Sequence, residues 1–442
     1  MSEIFDLSKI QEMIDSKQYA KLREHIEELN PADIAALFEE LPGTEVAKIF
    51  RILPKEYAAE VFSHLPIEDE QAIIKVLTDK EAAYIIDNLY ADDAADLIDE
   101  MPANVVKRIL AQTDPETRRD INNLLKYPDD SAGSIMTVEY VDLKENITVD
   151  DAIKIIRRDG IDKETIDICY VLDAGRRLKG IVSLRKLLLS QPDELIGNIM
   201  DENVISINSL TDQEEAARMF QKYDFTTMPV VDSENRLVGI ITIDDIVDIL
   251  QQEATEDIEK MAGITPTDKP YLRTSVWETY RKRIPWLLLL MISATFTGKI
   301  ITHFETALAA YVALTAFIPM LMDTGGNAGS QVSVTVIRGL SLDEIELRDI
   351  GRIIWKEMRV GLLIGVSLAV VNFIKIMVID DVTVFAALSV CIAVAVTVVI
   401  AKIVGCVLPI LAKRVGFDPA VMASPLITTI VDALSLLVFF NI

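Results

Sequence analysis

Residues 323–331 form a polar run, Asp323-Thr324-Gly325-Gly326-Asn327-Ala328-Gly329-Ser330-Gln331, inside an apolar segment at about 306–337. Three glycines within five residues weaken a helix but allow a neighbouring backbone to approach closely. The carboxylate, amide and hydroxyl groups supply oxygen atoms, which suit hard cations such as magnesium and calcium. Two interpretations follow, tight helix packing and a cation pathway lined by oxygens.

Further apolar segments surround this one, and a helix needs about 20 residues to cross a bilayer. Together they predict five membrane spans, at about residues 284–302, 306–337, 360–379, 383–412 and 420–441. Basic residues fall in alternate loops, at 281–283, 338–359 and 413–414, and basic loops remain in the cytoplasm. The sequence therefore predicts a multi-pass protein of the plasma (inner) membrane, with the N-terminus inside and the C-terminus outside.

The formal net charge of −26 is carried almost entirely by the first part of the chain, because residues 284–442 contain 11 acidic and 10 basic residues. A nucleic-acid partner is not expected, since such binding needs a basic face. The three cysteines, Cys169, Cys391 and Cys406, lie far apart and show no metal-ligand spacing. No apolar run opens the chain as a signal peptide would, so we expect the acidic part to be cytoplasmic.

A twelve-residue repeat occupies residues 29–102. One repeated position holds Leu29, Leu41, Leu53, Leu65, Leu77, Leu89 and Met101, and a second holds Phe38, Phe50, Phe62, Ile74, Ile86, Ile98 and Leu110. Each unit is expected to be a helix of about two turns closed by a Leu-Pro pair. Because such units cannot bury their apolar sides alone, they should stack into a superhelix. Residues 1–130 are therefore predicted to form an all-α solenoid domain.

From about residue 131, short strands alternate with helices, and one module occurs twice. Ile135-Met136-Thr137 recurs as Ile199-Met200-Asp201, and residues 170–184 recur as 229–243. This pattern resembles a tandem pair of CBS domains, which are small α+β modules, at about 131–195 and 196–252.

The CBS resemblance implies an adenine-nucleotide site where Ser/Thr-x-x-Asp follows the last strand. Thr242 and Asp245 fit this motif, whereas the first copy has Ser183 followed by Lys186 in place of the acid. ATP or another adenine nucleotide is therefore a candidate ligand of one copy, although such modules often act without one.

Residues 253–283 are predicted to be an acidic connecting helix that leads into a transmembrane domain at 284–442. The acids that precede and begin it recur at helical spacings, at Asp244, Asp245, Asp248, Glu253, Glu256, Asp257 and Glu259. One interpretation is a solvated helix face. The other is a set of crowded carboxylates whose repulsion a divalent cation relieves.

Ionisable groups inside membrane segments are costly and normally face a cavity or a partner. Asp432 is expected near the middle of the last span, with Thr428 and Thr429 one turn away, and Asp323 near the cytoplasmic end of the second. The alternative for Asp432 is a structural ion pair with Lys402 of the fourth span.

The order of solenoid, CBS pair, acidic connecting helix and five spans resembles the MgtE family of magnesium channels over essentially the whole chain. Pro319 with the polar run, Asp418-Pro419 and Asp432 carry the resemblance. It implies a homodimer with a Mg²⁺ pore between protomers, lined by spans two and five, which cytosolic Mg²⁺ closes. The implied pore residues are Asp432, Thr428, Ser424, Asn327 and Asp323, with Ser424 standing where an amide is expected.

The same resemblance implies regulatory Mg²⁺ ligands on the cytosolic domains and at the mouth of span five. They are Asp92, Asp93, Asp212, Glu214, Asp224, Asp245, Asp248, Glu253, Glu256, Asp257 and Asp418, with Asp96 as a further acid of the solenoid.

Two other functions share some of these features. A divalent-cation carrier or exchanger with the same sensor domains shares them all, and a membrane-tethered nucleotide sensor shares the CBS pair. An enzyme is not expected, because the sequence lacks a Ser/His/Asp set and a phosphate-binding Gly-Lys loop, and its histidines, His25, His64 and His303, are isolated.

Overall fold

The computed structural model describes residues 10–442 except for residues 11, 15, 17, 40, 42, 268, 270, 343, 381 and 423. The chain divides into two compact units, Met1–Ile249 and Leu250–Ile442. The first contains the solenoid and the CBS pair, and the second contains the membrane helices. One helix, α14 (Ile243–Met261), begins in the first unit and ends in the second.

The solenoid consists of short helices in which, from α2 onward, each helix packs on the one two places further along. In chain order these are α1 (Tyr19–Glu27), α2 (Pro31–Glu39), α3 (Gly43–Phe50), α4 (Lys55–Ser63), α5 (Ile67–Val76), α6 (Asp79–Ile86), α7 (Ala91–Asp99), α8 (Ala103–Leu110) and α9 (Pro115–Leu124). Alternate packing gives two rows of helices, as expected for a stacked superhelix.

The twelve-residue repeat of the sequence is also the repeat of buried side chains in the solenoid core. Its second repeated position is buried in every copy: Phe38, Phe50, Phe62, Ile74, Ile86, Ile98 and Leu110. The prediction that a Leu-Pro pair closes each preceding helix is wrong. Pro54, Pro66 and Pro102 are instead the N-cap residues of α4, α5 and α8, because the fixed φ of proline suits the residue that opens a helix.

Each CBS copy contains a three-stranded sheet with one parallel and one antiparallel pairing. The first copy contains β1 (Asp142–Leu143), α10 (Val149–Asp159), β2 (Ile168–Leu172), β3 (Leu178–Ser183) and α11 (Leu184–Leu189). The second follows α12 (Ile196–Ile199) and contains β4 (Ile207–Asn208), α13 (Gln213–Tyr223), β5 (Thr227–Val231) and β6 (Leu237–Thr242).

The repeated Ile-Met motifs exchange backbone hydrogen bonds between the two copies. Thr137 pairs with Ile240 of β6, and Asp201 pairs with Ile181 of β3. A glycine permits each approach, because a Cβ on Gly239 would lie 2.7 Å from the Thr137 carbonyl and one on Gly180 would lie 2.9 Å from the Asp201 carbonyl.

The connecting segment is not one helix over 253–283. Helix α14, here called the connecting helix, ends at Met261, and Gly263 follows with φ +70°. The Ile264 N–H donates to the Glu259 carbonyl and the Gly263 N–H to that of Lys260, which is the glycine-capped ending of a helix. A loop then leads to the next helix, which begins at Val276.

The second unit contains α15 (Val276–His303), α16 (Glu305–Ala310), α17 (Ile318–Ser341), α18 (Ile350–Ile379), α19 (Val384–Val415) and α20 (Ser424–Asn441). Four segments of the described chain are long and apolar enough to cross a membrane, namely Val276–His303, Leu347–Ile379, Val384–Val415 and Pro419–Asn441. Helix α17 is long enough but less apolar, because it contains the polar run. Five spans therefore stay a prediction.

Two predicted span boundaries differ from the helices. The segment at 306–337 is interrupted by a 3-10 helix at Val312–Phe317, and α17 starts directly before Pro319. Proline is tolerated in a first turn but not in a helix interior. Helix α18 begins ten residues before its predicted span of 360–379 and therefore carries Arg352, Lys356 and Arg359 on its first turns.

Candidate cation sites

The glycines of the polar run lie against α19 and α20. A Cβ on Gly325 would lie 2.8 Å from Ser435 Oγ, and one on Gly326 would lie 2.9 Å from the Thr428 methyl group. The carbonyl of Gly329 contacts Gly405 of α19. The packing interpretation of the run is therefore correct, and its glycines bring α17 close to the helix that carries Asp432.

Asp432 lies at the middle of α20, as predicted, and is half-buried. Its Oδ1 atom is buried and has no hydrogen-bond partner in the described part of the chain. Asp323 is close enough for its charge to repel that of Asp432. A buried carboxylate oxygen that lacks a donor is costly unless a cation or water satisfies it.

The alternative ion pair between Asp432 and Lys402 is not formed among the described residues. The Lys402 side chain is buried and its Nζ donates to Gln331 Oε1 at 3.5 Å. Lys402 therefore binds the last residue of the polar run and does not pair with Asp432.

The other predicted pore residues have mixed placements. Asp323 and Asn327 are exposed on α17, and Thr428 packs on Gly326. The prediction that Asp323 lies near the cytoplasmic end of its span is wrong. Asp323 is the sixth residue of α17, which starts at Ile318, and it is the opposite end of that helix, at Ser341, that contacts the connecting helix. The side chain of Ser424 lies outside the described residues.

A dense group of carboxylates, here called the acidic cluster, forms in the first unit. Asp92, Asp93 and Asp96 of α7 lie near Asp245 of α14, and their charges repel each other. Asp244 and Asp248 flank Asp245 and add to the repulsion. Four predicted ligands, Asp92, Asp93, Asp245 and Asp248, are therefore brought together from the solenoid and from the second CBS copy.

Three members of the acidic cluster were not identified from the sequence: Glu70, Glu139 and Glu164. Glu70 of α5 is 8% exposed and interacts with Asp93 and Asp96. Glu164 has a buried Oε2 atom with no partner among the described residues. Glu139 accepts from the Ala91 N–H at the start of α7 at 3.4 Å.

Desolvation, followed by the repulsion of neighbouring acids, raises the pKa of these groups. The pKa of Glu70 rises to about 9 and that of Glu164 to about 8. Asp96 keeps an exposed edge, yet desolvation and Asp245 raise its pKa to about 7. The pKa values of Asp92, Asp93 and Asp245 are raised for the same reasons. When its carboxylates are ionised and no cation lies between them, desolvation and mutual repulsion therefore destabilise the acidic cluster.

Within the described chain, no three of the acidic side chains converge closely enough to ligate one ion. The predicted ligands on α13 have local roles instead. Asp212 caps that helix at the Glu214 N–H, Glu214 pairs with Arg218 at 3.0 Å, and Asp224 ends the helix with φ +53°.

A second charged group lies where α14 meets the membrane helices. Lys260 Nζ is 2.7 Å from Glu256 Oε1 and 2.8 Å from Asp418 Oδ2. Asp257 accepts a hydrogen bond from Ser341 Oγ at 3.3 Å. Desolvation and, to a smaller extent, the negative charge of Asp418 raise the pKa of Asp257. Glu253 is partly exposed on the same helix. A lysine ammonium therefore occupies the position between two predicted metal ligands.

The nucleotide motif is formed in one CBS copy. Thr242 Oγ1 donates to Asp245 Oδ2 at 2.8 Å. In the first copy, Ser183 accepts from the Lys186 N–H at 3.2 Å and has no acid at the equivalent place. Asp245 thus belongs to both the nucleotide motif and the acidic cluster.

Comparison with known proteins matches the solenoid, the CBS pair and the last membrane helices. Residues 318–442 match the family described as divalent cation transporter, residues 29–130 match the MgtE intracellular N domain, and residues 132–192 and 196–252 match CBS domains. The magnesium transporter MgtE of Thermus thermophilus is 39% identical over 336 residues, which are 76% of this chain and 74% of that protein. This chain belongs to the MgtE family of magnesium transporters. The MgtE of Bacillus subtilis is 38% identical over 75% of this chain and 73% of that protein.

A solved MgtE structure is similar to the cytosolic part. The crystal structure of the cytosolic domain of the Mg²⁺ channel MgtE in complex with ATP covers 55% of this chain and 99% of that chain, with a TM-score of 0.53 and 40% identity. The predicted multidomain membrane fold, with an α-helical N-terminal domain and a CBS pair, is therefore confirmed. The domain boundaries and the membrane orientation stay predictions.

Proposed function

We propose that this MgtE protein is a Mg²⁺-selective channel that acts as a homodimer and closes when cytosolic Mg²⁺ is sufficient. The buried, unpartnered oxygen of Asp432 beside the glycine run carries the proposal for the pore. Mg²⁺ gives up its water reluctantly. One Asp432 from each protomer, facing the other across the dimer axis, would hold the hydrated ion weakly enough to release it.

The acidic cluster supports a sensing role in the first unit. Its carboxylates come from α5, α7, the first CBS copy and α14, so their repulsion opposes the packing of these elements on one another. A divalent cation would relieve that repulsion, either directly or through its water shell. The absence of a closed ligand set among the described residues agrees with weak, water-mediated binding, as a sensor of abundant cytosolic Mg²⁺ requires.

The group at Asp418 supports a closing role for the connecting helix. Asp257 and Lys260 of α14 contact Ser341 of α17 and Asp418 before α20, and Glu256 pairs with Lys260 on the same helix. Because Asp245 lies on the same continuous helix, events in the acidic cluster act on the element that is held at Asp418. An adenine nucleotide at Thr242 and Asp245 would bring phosphates close to the acidic cluster, so we propose it as a modulator.

The test of the pore is Mg²⁺ uptake into vesicles that contain purified protein, measured with an enclosed Mg²⁺ indicator. Asp432→Asn keeps the side-chain shape but removes the charge, and selective uptake should fall to the background. Asp349→Asn removes an acid elsewhere in the same unit and should transport normally. Uptake by Asp432→Asn equal to that of the unaltered protein would refute the pore assignment.

A divalent-cation carrier with the same sensor is the alternative. Patch recording from the same vesicles separates the two, because only a channel passes enough ions for discrete current steps. Steps that disappear in Asp432→Asn support the channel, whereas uptake without resolvable steps supports the carrier.

A further inference from the structure

Two membrane helices carry the same pair of side chains, spaced four residues apart, within their first three turns. In α15, the Arg281 guanidinium lies over the Trp277 ring, 5.6 Å from its centroid. In α18, Arg359 lies over Trp355 at the same distance of 5.6 Å. Both indoles are on the outside of the unit, with Trp277 63% and Trp355 56% exposed. The first three turns of two separate helices thus present one chemical pattern.

The guanidiniums of these pairs have no carboxylate partner in the described chain. Neither Arg281 nor Arg359 forms an ion pair with a described residue, and both are exposed. The Arg359 Nε–H donates to the Trp355 carbonyl at 3.3 Å, which leaves the terminal N–H groups. Nearby arginines differ, because Arg348 pairs with Glu346 at 2.7 Å and Arg352 pairs with Asp349 at 3.3 Å. An arginine stacked on an indole retains N–H donors in its plane, which can bind two oxygens of a phosphate at once.

The length of the helices places these pairs at the depth of lipid head groups. Helix α15 has 28 residues and α18 has 30, or about 42 and 45 Å at 1.5 Å per residue. The hydrocarbon core is about 30 Å thick, and the bilayer with its head groups is about 40–45 Å. The Trp-Arg pairs occupy the ends that project beyond the apolar segments, where tryptophan is enriched.

Both pairs lie on the side of the unit that carries the connecting helix. Met261 of α14 packs on Ile337 and Ala420, and Asp257 accepts from Ser341 at the end of α17, just before α18. Gly263 contacts the ring of Trp286, the eleventh residue of α15. At the other end of α18, the charge of Lys375 is met by Asp380 at 3.4 Å. The two stacked guanidiniums therefore both lie on the connecting-helix side.

We infer that each Trp-Arg pair is a binding site for the head group of an anionic phospholipid. The indole lies at the level of the glycerol backbone, and the guanidinium donates to the phosphate oxygens. The complementary charge is the phospholipid's, because the described chain supplies none. The two sites fix the starts of α15 and α18 in the head-group layer, on either side of the segments that contact α14.

The test uses the full chain reconstituted into vesicles, with tryptophan fluorescence as the readout. The sequence contains three tryptophans, so Trp286→Phe with Trp355→Phe leaves Trp277 as the reporter, and Trp277→Phe with Trp286→Phe leaves Trp355. Phosphatidylglycerol or phosphatidylcholine brominated on the acyl chain is added at equal mole fraction, in a background of constant total composition. Quenching of each reporter by brominated phosphatidylglycerol should exceed that by brominated phosphatidylcholine about five-fold in apparent affinity.

Each arginine variant is the matched control for the other site. Arg281→Gln should abolish the phosphatidylglycerol excess at Trp277 and leave that at Trp355, and Arg359→Gln should do the reverse. Three results would overturn the inference. They are equal quenching by both lipids, an excess that survives at a site whose arginine is replaced, and no quenching by either lipid, which would mean that protein covers the indole.

Discussion

Lys260 Nζ lies 2.8 Å from Asp418 Oδ2, so a side chain of the connecting helix supplies the positive charge at a carboxylate that the family resemblance assigns to Mg²⁺. Although desolvation acts in the opposite direction, the hydrogen bonds to Asp418 and Glu256 raise the pKa of Lys260. The ammonium therefore remains charged at neutral pH. It holds α14 against the segment before α20 without any metal ion, so Mg²⁺ must compete with it or bind beside it.

Replacing Lys260 with methionine should make this contact depend on Mg²⁺. The variant leaves Glu256, Asp257 and Asp418 facing one another, and their repulsion should expose the segment after α14. In Mg²⁺-free buffer we expect proteolysis there to rise about two- to five-fold, the scale of a partly exposed ion pair. Mg²⁺ should restore protection, and Lys260→Arg should behave as the unaltered protein. Equal cleavage of Lys260→Met and the unaltered protein without Mg²⁺ would contradict this role.

The raised pKa values of the acidic cluster predict that the first unit loses stability as pH rises. A carboxyl with a raised pKa binds its proton in the folded state but not in the unfolded state between about pH 4 and its folded pKa. The stabilisation is complete below about pH 4 and is lost as pH rises toward the values of about 7 for Asp96, about 8 for Glu164 and about 9 for Glu70. Thermal unfolding in EDTA should therefore occur at lower temperature at pH 9 than at pH 6, and Mg²⁺ should narrow the difference.

Glu70→Gln isolates one of these protons. Glu70 is almost fully buried, so its loss should flatten the pH dependence by up to about 1.4 kcal/mol per pH unit below pH 9. Circular dichroism melts of the full chain at several pH values measure the slope. Glu24→Gln, which removes an exposed acid of α1, should leave the slope unchanged. A slope that is the same in Glu70→Gln and Glu24→Gln would disprove the assignment of Glu70 to the cluster.

Gly325→Ala should destabilise the packing of α17. The added methyl group would lie 2.8 Å from Ser435 Oγ, 2.8 Å from Thr397 Cγ2 and 2.9 Å from Val431 Cγ1. Overpacking of this kind costs about 1–3 kcal/mol, so we expect a lower melting temperature in detergent and reduced uptake. Gly298→Ala is the matched control, because nothing lies within 4 Å of its added Cβ. A Gly325→Ala protein as stable and active as Gly298→Ala would argue against close helix contact.

Thr242→Ala should weaken adenine-nucleotide binding through the second CBS copy. Thr242 Oγ1 donates to Asp245 Oδ2 at 2.8 Å. If this pair binds the ribose, as proposed, the loss of the hydrogen bond predicts about five-fold weaker binding. Calorimetric titration of the full chain with ATP measures the change. Ser183→Ala alters the equivalent position of the copy that lacks the acid and should bind ATP normally. An equal loss of ATP affinity in both variants would contradict the prediction that ATP binds through the second copy and not the first.

Periodic features of the sequence predicted most of the fold. The twelve-residue repeat identified the buried row from Phe38 to Leu110 because core burial and helix stacking impose the same period. The repeated Ile-Met and glycine positions identified the CBS copies for a similar reason, since both copies make the same close backbone contacts. Asp432 was predicted to be a pore residue because a carboxylate is unusual in an apolar helix.

Features that depend on packing were not predicted. Glu70, Glu139 and Glu164 lie on three elements far apart in sequence, and each looks like an ordinary surface acid until these elements meet. Lys260 gives no sequence signal, because a single lysine among the acids of α14 forms no pattern. The break before Pro319 was visible in the sequence as a proline, but the apolar residues on both sides concealed it.

The hydrogen bonds of Thr137 with Ile240 and of Asp201 with Ile181 mean that each CBS copy completes its neighbour's sheet. Neither half is therefore a self-sufficient folding piece. A gene fragment that stops between the copies would leave the outer edge of β3 bare and prone to sticking to other chains. Any attempt to shuffle, duplicate or transplant this regulatory module between transporters has to move the two copies together.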